Sequence, residues 1–318
     1  MNQHFRSNGK FMLTGEYLVL KGATSLALPL NLGQNMNVET LDKNDNVIYW
    51  DAFVKSTKSV GNNMKSWFSV MLNKTDFSVI STDDIEKAER LSSILKQAKL
   101  LNENVFCDSH DYRFRTSLDF DPQWGLGSSS TLISNISEWA EINPYRLLDA
   151  SFKGSGYDIA CAKADGPIFY EINGMHTTDN SPVVKTADFN PPFKENLFFI
   201  YQGHKQNSSN EVKAFLDKKK NFDDEVKSIS EISKILPDLQ TLRDFCYFIK
   251  VHEEIMSTCL EHKRLKKYFS DFEGEMKSLG AWGGDFFLAA TEWDEENVRK
   301  YFEKKGLDVI IKYKDIVL

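Results

Sequence analysis

Trp124-Gly125-Leu126-Gly127-Ser128-Ser129-Ser130-Thr131 joins a stretch of alternating hydrophobicity to an apolar helical run that begins at Leu132. Glycines let backbone amides turn inward without a Cβ in the way, and a helix start adds partial positive charge, so this spacing suits a phosphate cradle. The serines add hydroxyls for oxyanions or a magnesium ion. No lysine follows the glycines and no third glycine completes a GxGxxG pattern, which removes a Walker A loop and a dinucleotide fingerprint. A serine-capped helix after a tight turn would use the same residues.

Three more segments invite a chemical reading. In Gly154-Ser155-Gly156-Tyr157-Asp158 an acid follows a glycine-rich bend and precedes the apolar run Ile159-Ala160-Cys161-Ala162. A helix dipole there would hold a carboxylate rigid and ionised, as a phosphoryl-transfer base or positioning group requires; it would equally hold a simple capping residue. Leu279-Gly280-Ala281-Trp282-Gly283-Gly284-Asp285 packs three glycines into five positions, which suits close ligand approach or a plain turn into a strand. Ser7-Asn8-Gly9-Lys10-Phe11-Met12-Leu13-Thr14-Gly15-Glu16-Tyr17 sets Lys10 at a strand entrance and Glu16 in a tight turn, where both also fit as surface charges.

The elements that must position these segments follow from periodicity. Short β-prone runs are expected at 11–13 and 17–20, an extended run at 23–30, and another at 47–50. Residues 83–101 read as a helix with Ile85, Ala88, Leu91, Leu95 and Ala98 on one face. Between 112 and 120 a period of two sets Tyr112, Phe114, Leu118 and Phe120 opposite Arg113, Arg115 and Asp119. Residues 174–196, with Pro182, Pro191 and Pro192, read as a loop or crossing, and the domain boundary is expected there, giving domains 1–190 and 191–318. Beyond it come a strand at 197–201, a capping box at Ser208 and Glu211, and a long helix marked by Leu242, Phe245, Ile249, His252, Met256 and Cys259. A strand at 286–291, a helix at 295–305 closed by Gly306, and a strand at 309–311 complete an α+β second half.

Bulk properties narrow the function class. A chain of 318 residues has room for two domains, and 39 basic against 46 acidic residues leave a net charge of only −7. That balance favours neither nucleic acid nor an anionic membrane as partner. The four widely spaced cysteines form no CxxC pair, and no apolar run is long enough to span a bilayer, so a cytoplasmic protein is expected.

In order and separation the four segments together resemble the GHMP kinase family of galactokinase, homoserine kinase, mevalonate kinase and phosphomevalonate kinase. GKFMLTGEYLVLKGATSLALP resembles its first motif, WGLGSSST its phosphate-binding second motif, GSGYDIACA the segment of its catalytic aspartate, and GAWGGDFF its glycine-rich third motif. Gly-Glu-Tyr after the first strand, and Tyr201-Gln202-Gly203-His204-Lys205-Gln206-Asn207-Ser208-Ser209, resemble the phosphomevalonate kinase branch. The resemblance implies a two-domain α+β fold, with an N-terminal lobe of the ribosomal protein S5 domain 2-like type and a ferredoxin-like C-terminal lobe. It implies ATP and Mg2+ as cofactors and an acceptor alcohol or phosphorylated acid, mevalonate or phosphomevalonate in first place. It leaves a homodimer open.

Residue roles implied by the resemblance follow the motifs. Backbone amides of Gly125, Leu126, Gly127, Ser128, Ser129 and Ser130 would hold the ATP phosphates, and Ser129 would ligate magnesium. Asp158 would accept or orient the acceptor hydroxyl, with Lys10 steadying Asp158 and the transferred phosphoryl group. Glu16, Gly280, Gly283 and Gly284 would lie on the acceptor side. The carboxylate that completes magnesium coordination in some members has no match in register; Asp149 is the nearest. The interval from Ser129 to Asp158 is shorter than in mevalonate kinase, and Trp282 stands where the third motif has glycine. These departures keep two alternatives open: a catalytically silent nucleotide or metabolite binder, and a kinase for a sugar or an amino alcohol. His252 reads as a core histidine, residues 218–220 as a solvated basic face, and Arg113 with Arg115 as an exposed sheet face.

Overall fold

A computed structural model of the chain describes residues 2–55, 64–152, 154–172, 181–203, 208–218, 220–280, 282 and 284–318. Two compact units are present, each assembled from separated stretches of sequence: residues 1–9, 32–122 and 126–163 in the first, and 10–31, 123–125 and 164–318 in the second.

The first unit takes the start of strand β1 (Asn2–Met12) and the later part of β2 (Ser25–Leu41). It continues with β3 (Val47–Lys55), β4 (Met64–Asn73), β5 (Val79–Thr82), helix α1 (Ile85–Leu101), β6 (Asp111–Leu118), and helices α2 (Ser128–Trp139), α3 (Pro144–Ser151) and α4 (Tyr157–Ala162). Its strands pair in the order β5-β4-β3-β6-β2, with β3 and β6 parallel and the other pairs antiparallel. The alternation on β6 sorts its two faces. Phe114 lies opposite Trp50 and their rings stack at 4.7 Å, on the face covered by Leu91, Leu95, Ile133 and Ile136 from the helices. On the other face Arg113 sits opposite Tyr49 with its guanidinium 5.3 Å from the ring centre, and Arg115 is exposed, as a solvated sheet face requires.

Helix α1 is started by Asp84, whose side chain accepts the Lys87 N–H, and it buries Ala88, Leu91, Ile94, Leu95 and Ala98. Ile85 departs from the expected face. It is 55% exposed, because it occupies the first turn, ahead of the residues that reach the sheet.

The second unit holds β7 (Ile168–Glu171), β8 (Val183–Thr186), β9 (Leu197–Tyr201), helices α5 (Ser208–Leu216), α6 (Asp223–Ile235) and α7 (Leu242–Leu260), β10 (Glu275–Ser278), β11 (Phe286–Ala290), α8 (Glu295–Glu303), β12 (Ile310–Lys312) and α9 (Tyr313–Ile316). Strands β9 to β12 form an antiparallel sheet in the order β10-β11-β9-β12, the split βαβ arrangement of a ferredoxin-like lobe. Both central strands read as unbroken apolar runs because both their faces are covered. Phe198, Ile200 and Phe287 pack under Val298 and Phe302 of α8, while Phe199, pointing the other way, stacks on Phe11 at 4.5 Å.

Two local expectations change. Residues 17–20 do not extend; Leu18–Lys21 form a 3-10 turn, because Gly15 and Gly22 both take positive φ and close the chain on either side of it. The stretch 174–196 is not all loop, since Val183–Thr186 pairs with β7, and Pro182 is tolerated because it precedes that strand. Residues 173–180 and the side chain of Ser208 lie outside the described part of the chain, so the capping box expected there does too. Among the described residues no helix is long and apolar enough to cross a membrane.

Phe302 is fully buried, with the rings of Phe287 and Phe272 at 5.5 and 5.4 Å. Phe302→Ala should therefore lower unfolding stability by about 3–5 kcal/mol in urea titrations. Tyr247→Ala, at a residue 61% exposed, should change it by less than about 0.5 kcal/mol.

Candidate active site

Helix α2 begins on Gly127, whose φ of 99° is the left-handed geometry that glycine adopts without strain. No side chain caps this start and no acidic residue occupies its first turn. Most helix starts elsewhere are closed: Asp84, Asn143, Thr241 and Asp294 cap α1, α3, α7 and α8, and α6 carries three acids in its first turn. The start of α2 thus has neither a side-chain cap nor a first-turn acid, an electrostatic state that suits a phosphate.

Side chains along the loop divide the work. Ser130 and Thr131 spend their hydroxyls on the Gly127 carbonyl at 2.9 and 3.0 Å, Leu126 is fully buried as an anchor, Ser128 is half-buried, and Ser129 is exposed. A buried polar network fixes the helix from below. Ser7 Oγ donates to Asn135 Oδ1 at 2.7 Å, Asn135 Nδ2 donates to the Gln34 carbonyl at 3.0 Å, and Gln34 Oε1 lies 3.2 Å from Thr131 Oγ1.

Helix α4 packs against α2 and starts in the same way, on left-handed Gly156 with no side-chain cap. Asp158 sits in its first turn, half-buried, with Oδ1 accepting the Ile159 N–H at 3.0 Å. Its charge is felt by Tyr145, whose hydroxyl is pushed up to about 12 by burial first and by the Asp158 carboxylate second. In the first unit the structure therefore joins the helix of the glycine motif to the helix of the aspartate motif. Asp149 is exposed on α3, a helix closed by Asn143.

The other predicted residues belong to the second unit. Lys10 Nζ donates to the Gly125 carbonyl at 2.8 Å. Gly125 has φ 67°, and a Cβ built on it would fall 2.3 Å from Oδ2 of Asp285, so the third-motif carboxylate fills the space a side chain would need. Gly280 has φ 70° and its Cβ position lies 3.7 Å from the same oxygen; the Gly284 carbonyl accepts Gln202 Nε2 at 2.9 Å. Gly283 lies outside the described residues. Trp282 is buried, and its backbone N–H donates to the Tyr17 hydroxyl at 3.0 Å.

Glu16 is not on the surface. It is 5% exposed in a closed charge cluster with Lys277, Glu253 and His252, each fully buried. Lys277 Nζ meets Glu16 Oε1 directly and lies 3.2 Å from Glu253 Oε1. His252 Nε2 accepts the Gly15 N–H at 3.1 Å and lies 3.6 Å from Glu16 Oε2. Burial pushes Glu16 up to about 7 despite the ammonium beside it, raises Glu253, and drives His252 well below its ordinary value, with Lys277 adding to that last effect. His252 is the core histidine its apolar stripe predicts. Lys277 and Glu253 were not singled out by the sequence, although Glu253 lies four residues after Ile249 on the same stripe of α7.

A carboxyl raised on folding binds its proton more tightly in the native than in the unfolded state. Its stabilisation is therefore full below about 4.5 and is lost as pH rises towards about 7. For Glu16 the loss across that window is on the order of 3 kcal/mol. Urea titrations at pH 5 and pH 8 should show a smaller difference in Glu16→Gln than in the natural chain.

No family model and no curated protein matches the sequence. Solved structures do match it along nearly the whole chain. The mevalonate kinase of Methanococcus jannaschii superposes with a TM-score of 0.69 at 16% identity, covering 98% of this chain and 97% of that one. The Streptococcus pneumoniae phosphomevalonate kinase, solved with phosphomevalonate and AMPPNP, gives 0.66 at 14% identity and covers 98% and 99%. A D-glycero-D-manno-heptose 1-phosphate kinase from Bacteriodes thetaiotaomicron gives 0.62 at 12% identity and covers 100% and 96%. With helices and two sheets, one mixed and one antiparallel, arranged as described, the α+β chain has the GHMP kinase fold.

Proposed function

We propose that this chain is an ATP- and magnesium-dependent small-molecule kinase whose acceptor is mevalonate or phosphomevalonate. The observation that carries the reading is the pair of uncapped helix starts in the first unit, one free of acid and one bearing Asp158, packed together. Phosphoryl transfer asks mainly for positioning and for neutralisation of spread negative charge, and these two starts supply both. The amides at residues 127–130 hold the phosphates. With an alcohol acceptor, its oxygen bonds to the γ-phosphorus as the bond to the β,γ-bridging oxygen breaks. The hydroxyl proton passes to Asp158 and ADP leaves. Lys10, tied to the Gly125 carbonyl in the second unit, is the compact cation that the motif resemblance assigns to the phosphoryl group.

Among the described residues no group of three or more His, Cys, Asp or Glu is set to hold a metal by itself. Magnesium with a nucleotide takes most of its ligands from phosphate and water, so the exposed Ser129 hydroxyl, with Asp149 as the nearest carboxylate, would be enough. When bound, the ion would neutralise charge on the β- and γ-phosphates. The acceptor class rests on Gly15-Glu16-Tyr17 and on the mevalonate and phosphomevalonate kinases among the structural neighbours. A catalytically silent binder is the second reading. It is favoured by Trp282, buried and tied to Tyr17 in the loop where the family motif has glycine.

Purified protein with MgATP should consume ATP when given mevalonate or phosphomevalonate. Asp158→Asn should lower kcat about 10²–10⁴-fold with unchanged unfolding stability. Full activity in that variant would remove Asp158 from the mechanism, and AMPPNP binding by calorimetry without turnover of any acceptor would establish the silent binder.

A further inference from the structure

The buried cluster in the second unit holds more charge than its surroundings explain. Glu16 and Glu253 face a single ammonium, Lys277, and His252 is neutral because its Nε2 accepts the Gly15 N–H. Arg264, the next cation, is occupied by Glu275 at 2.7 Å and Glu254 at 3.3 Å. With both carboxylates ionised the four groups sum to one negative charge in a dry site, and Glu16 Oε2 and Glu253 Oε1 lack a hydrogen bond among the described residues. Such a site costs stability, and an apolar core of similar volume would be as stable. Its geometry has a different consequence. Lys277 stands on β10, His252 and Glu253 on α7, and both grip one turn: Gly15 through its amide and Glu16 through its carboxylate. The next residue, Tyr17, has positive φ and accepts the backbone N–H of Trp282, five residues beyond Lys277.

We propose that Lys277 is a positioning residue for the acceptor. Its ammonium clamps Glu16 to β10, and through Glu16 it sets the Gly15–Tyr17 turn and the Tyr17 hydroxyl against the third-motif loop. The inference rests on the kinase reading above for both the identity and the place of the acceptor, while the clamp itself does not. The Trp282 amide reports the clamp without turnover, because its hydrogen bond to Tyr17 depends on where that turn is held.

The test compares Lys277→Met with Lys74→Met in the full chain. Lys74 is also buried, but it belongs to the first unit and donates to the carbonyls of Asp108 and His110. Steady-state kinetics with MgATP and either mevalonate or phosphomevalonate should show Lys277→Met raising the acceptor KM at least about tenfold while the ATP KM moves less than about twofold. Lys74→Met should lower stability with no such split. In tryptophan-labelled protein the Trp282 amide resonance should move in Lys277→Met and stay in Lys74→Met. If Lys277→Met does not fold, Lys277→Arg keeps the buried charge with a bulkier head and should show the same acceptor-selective change, smaller in size. An unchanged acceptor KM together with an unmoved Trp282 amide, or equal changes in both KM values, would overturn the proposal. If the natural chain turns over neither acceptor, the kinase reading fails and the Trp282 amide alone decides the clamp.

Discussion

A helix start without a cap is an electrostatic vacancy, and the start of α2 is the one on which the functional reading depends. Ser130 and Thr131 do not cap it, since their hydroxyls turn back onto the Gly127 carbonyl. Nor does an acid in the first turn offset the dipole. Much of the first unit serves to keep that vacancy in place: Leu126 buried on one side, the Ser7, Gln34 and Asn135 network beneath, and α4 packed alongside.

The second unit meets a different constraint. Its motif segments are held by polar contacts instead of by packing alone: the part-buried Lys10 to the Gly125 carbonyl, Asp285 in the space beside Gly125, and the buried four-group cluster under Glu16. Buried charges of this kind contribute little net stability, so their placement is better understood as fixing geometry than as holding the lobe together. That work falls to the apolar strands β9 and β11 and to α8, where Phe198, Phe287 and Phe302 interlock.

Elements whose signal is local were legible in the sequence. The period of two on β6, the stripe on α1, the long α7 and the two glycine-led helix starts all follow from side-chain spacing within a few residues. What was hidden depends on contacts distant in the chain. Glu16 looked like a turn residue near a ligand because nothing in its neighbourhood announces a lysine 261 positions away. Lys277, in a four-residue strand that is buried throughout, has the composition of a surface position. The 3-10 turn at Leu18–Lys21 was mistaken for strand because its residues are β-prone while the two glycines that bend it lie just outside. The interleaving of residues 10–31 and 123–125 with 164–318 leaves no mark on composition at all.

The most direct measurement is of the backbone amides at 128–130. In nitrogen-labelled protein titrated with magnesium and AMPPNP, the resonances of Ser128, Ser129 and Ser130 should shift and saturate together, with Asp158 following as the neighbouring helix start responds. Saturable binding that leaves those three amides unmoved would place the polyanion elsewhere and contradict the account.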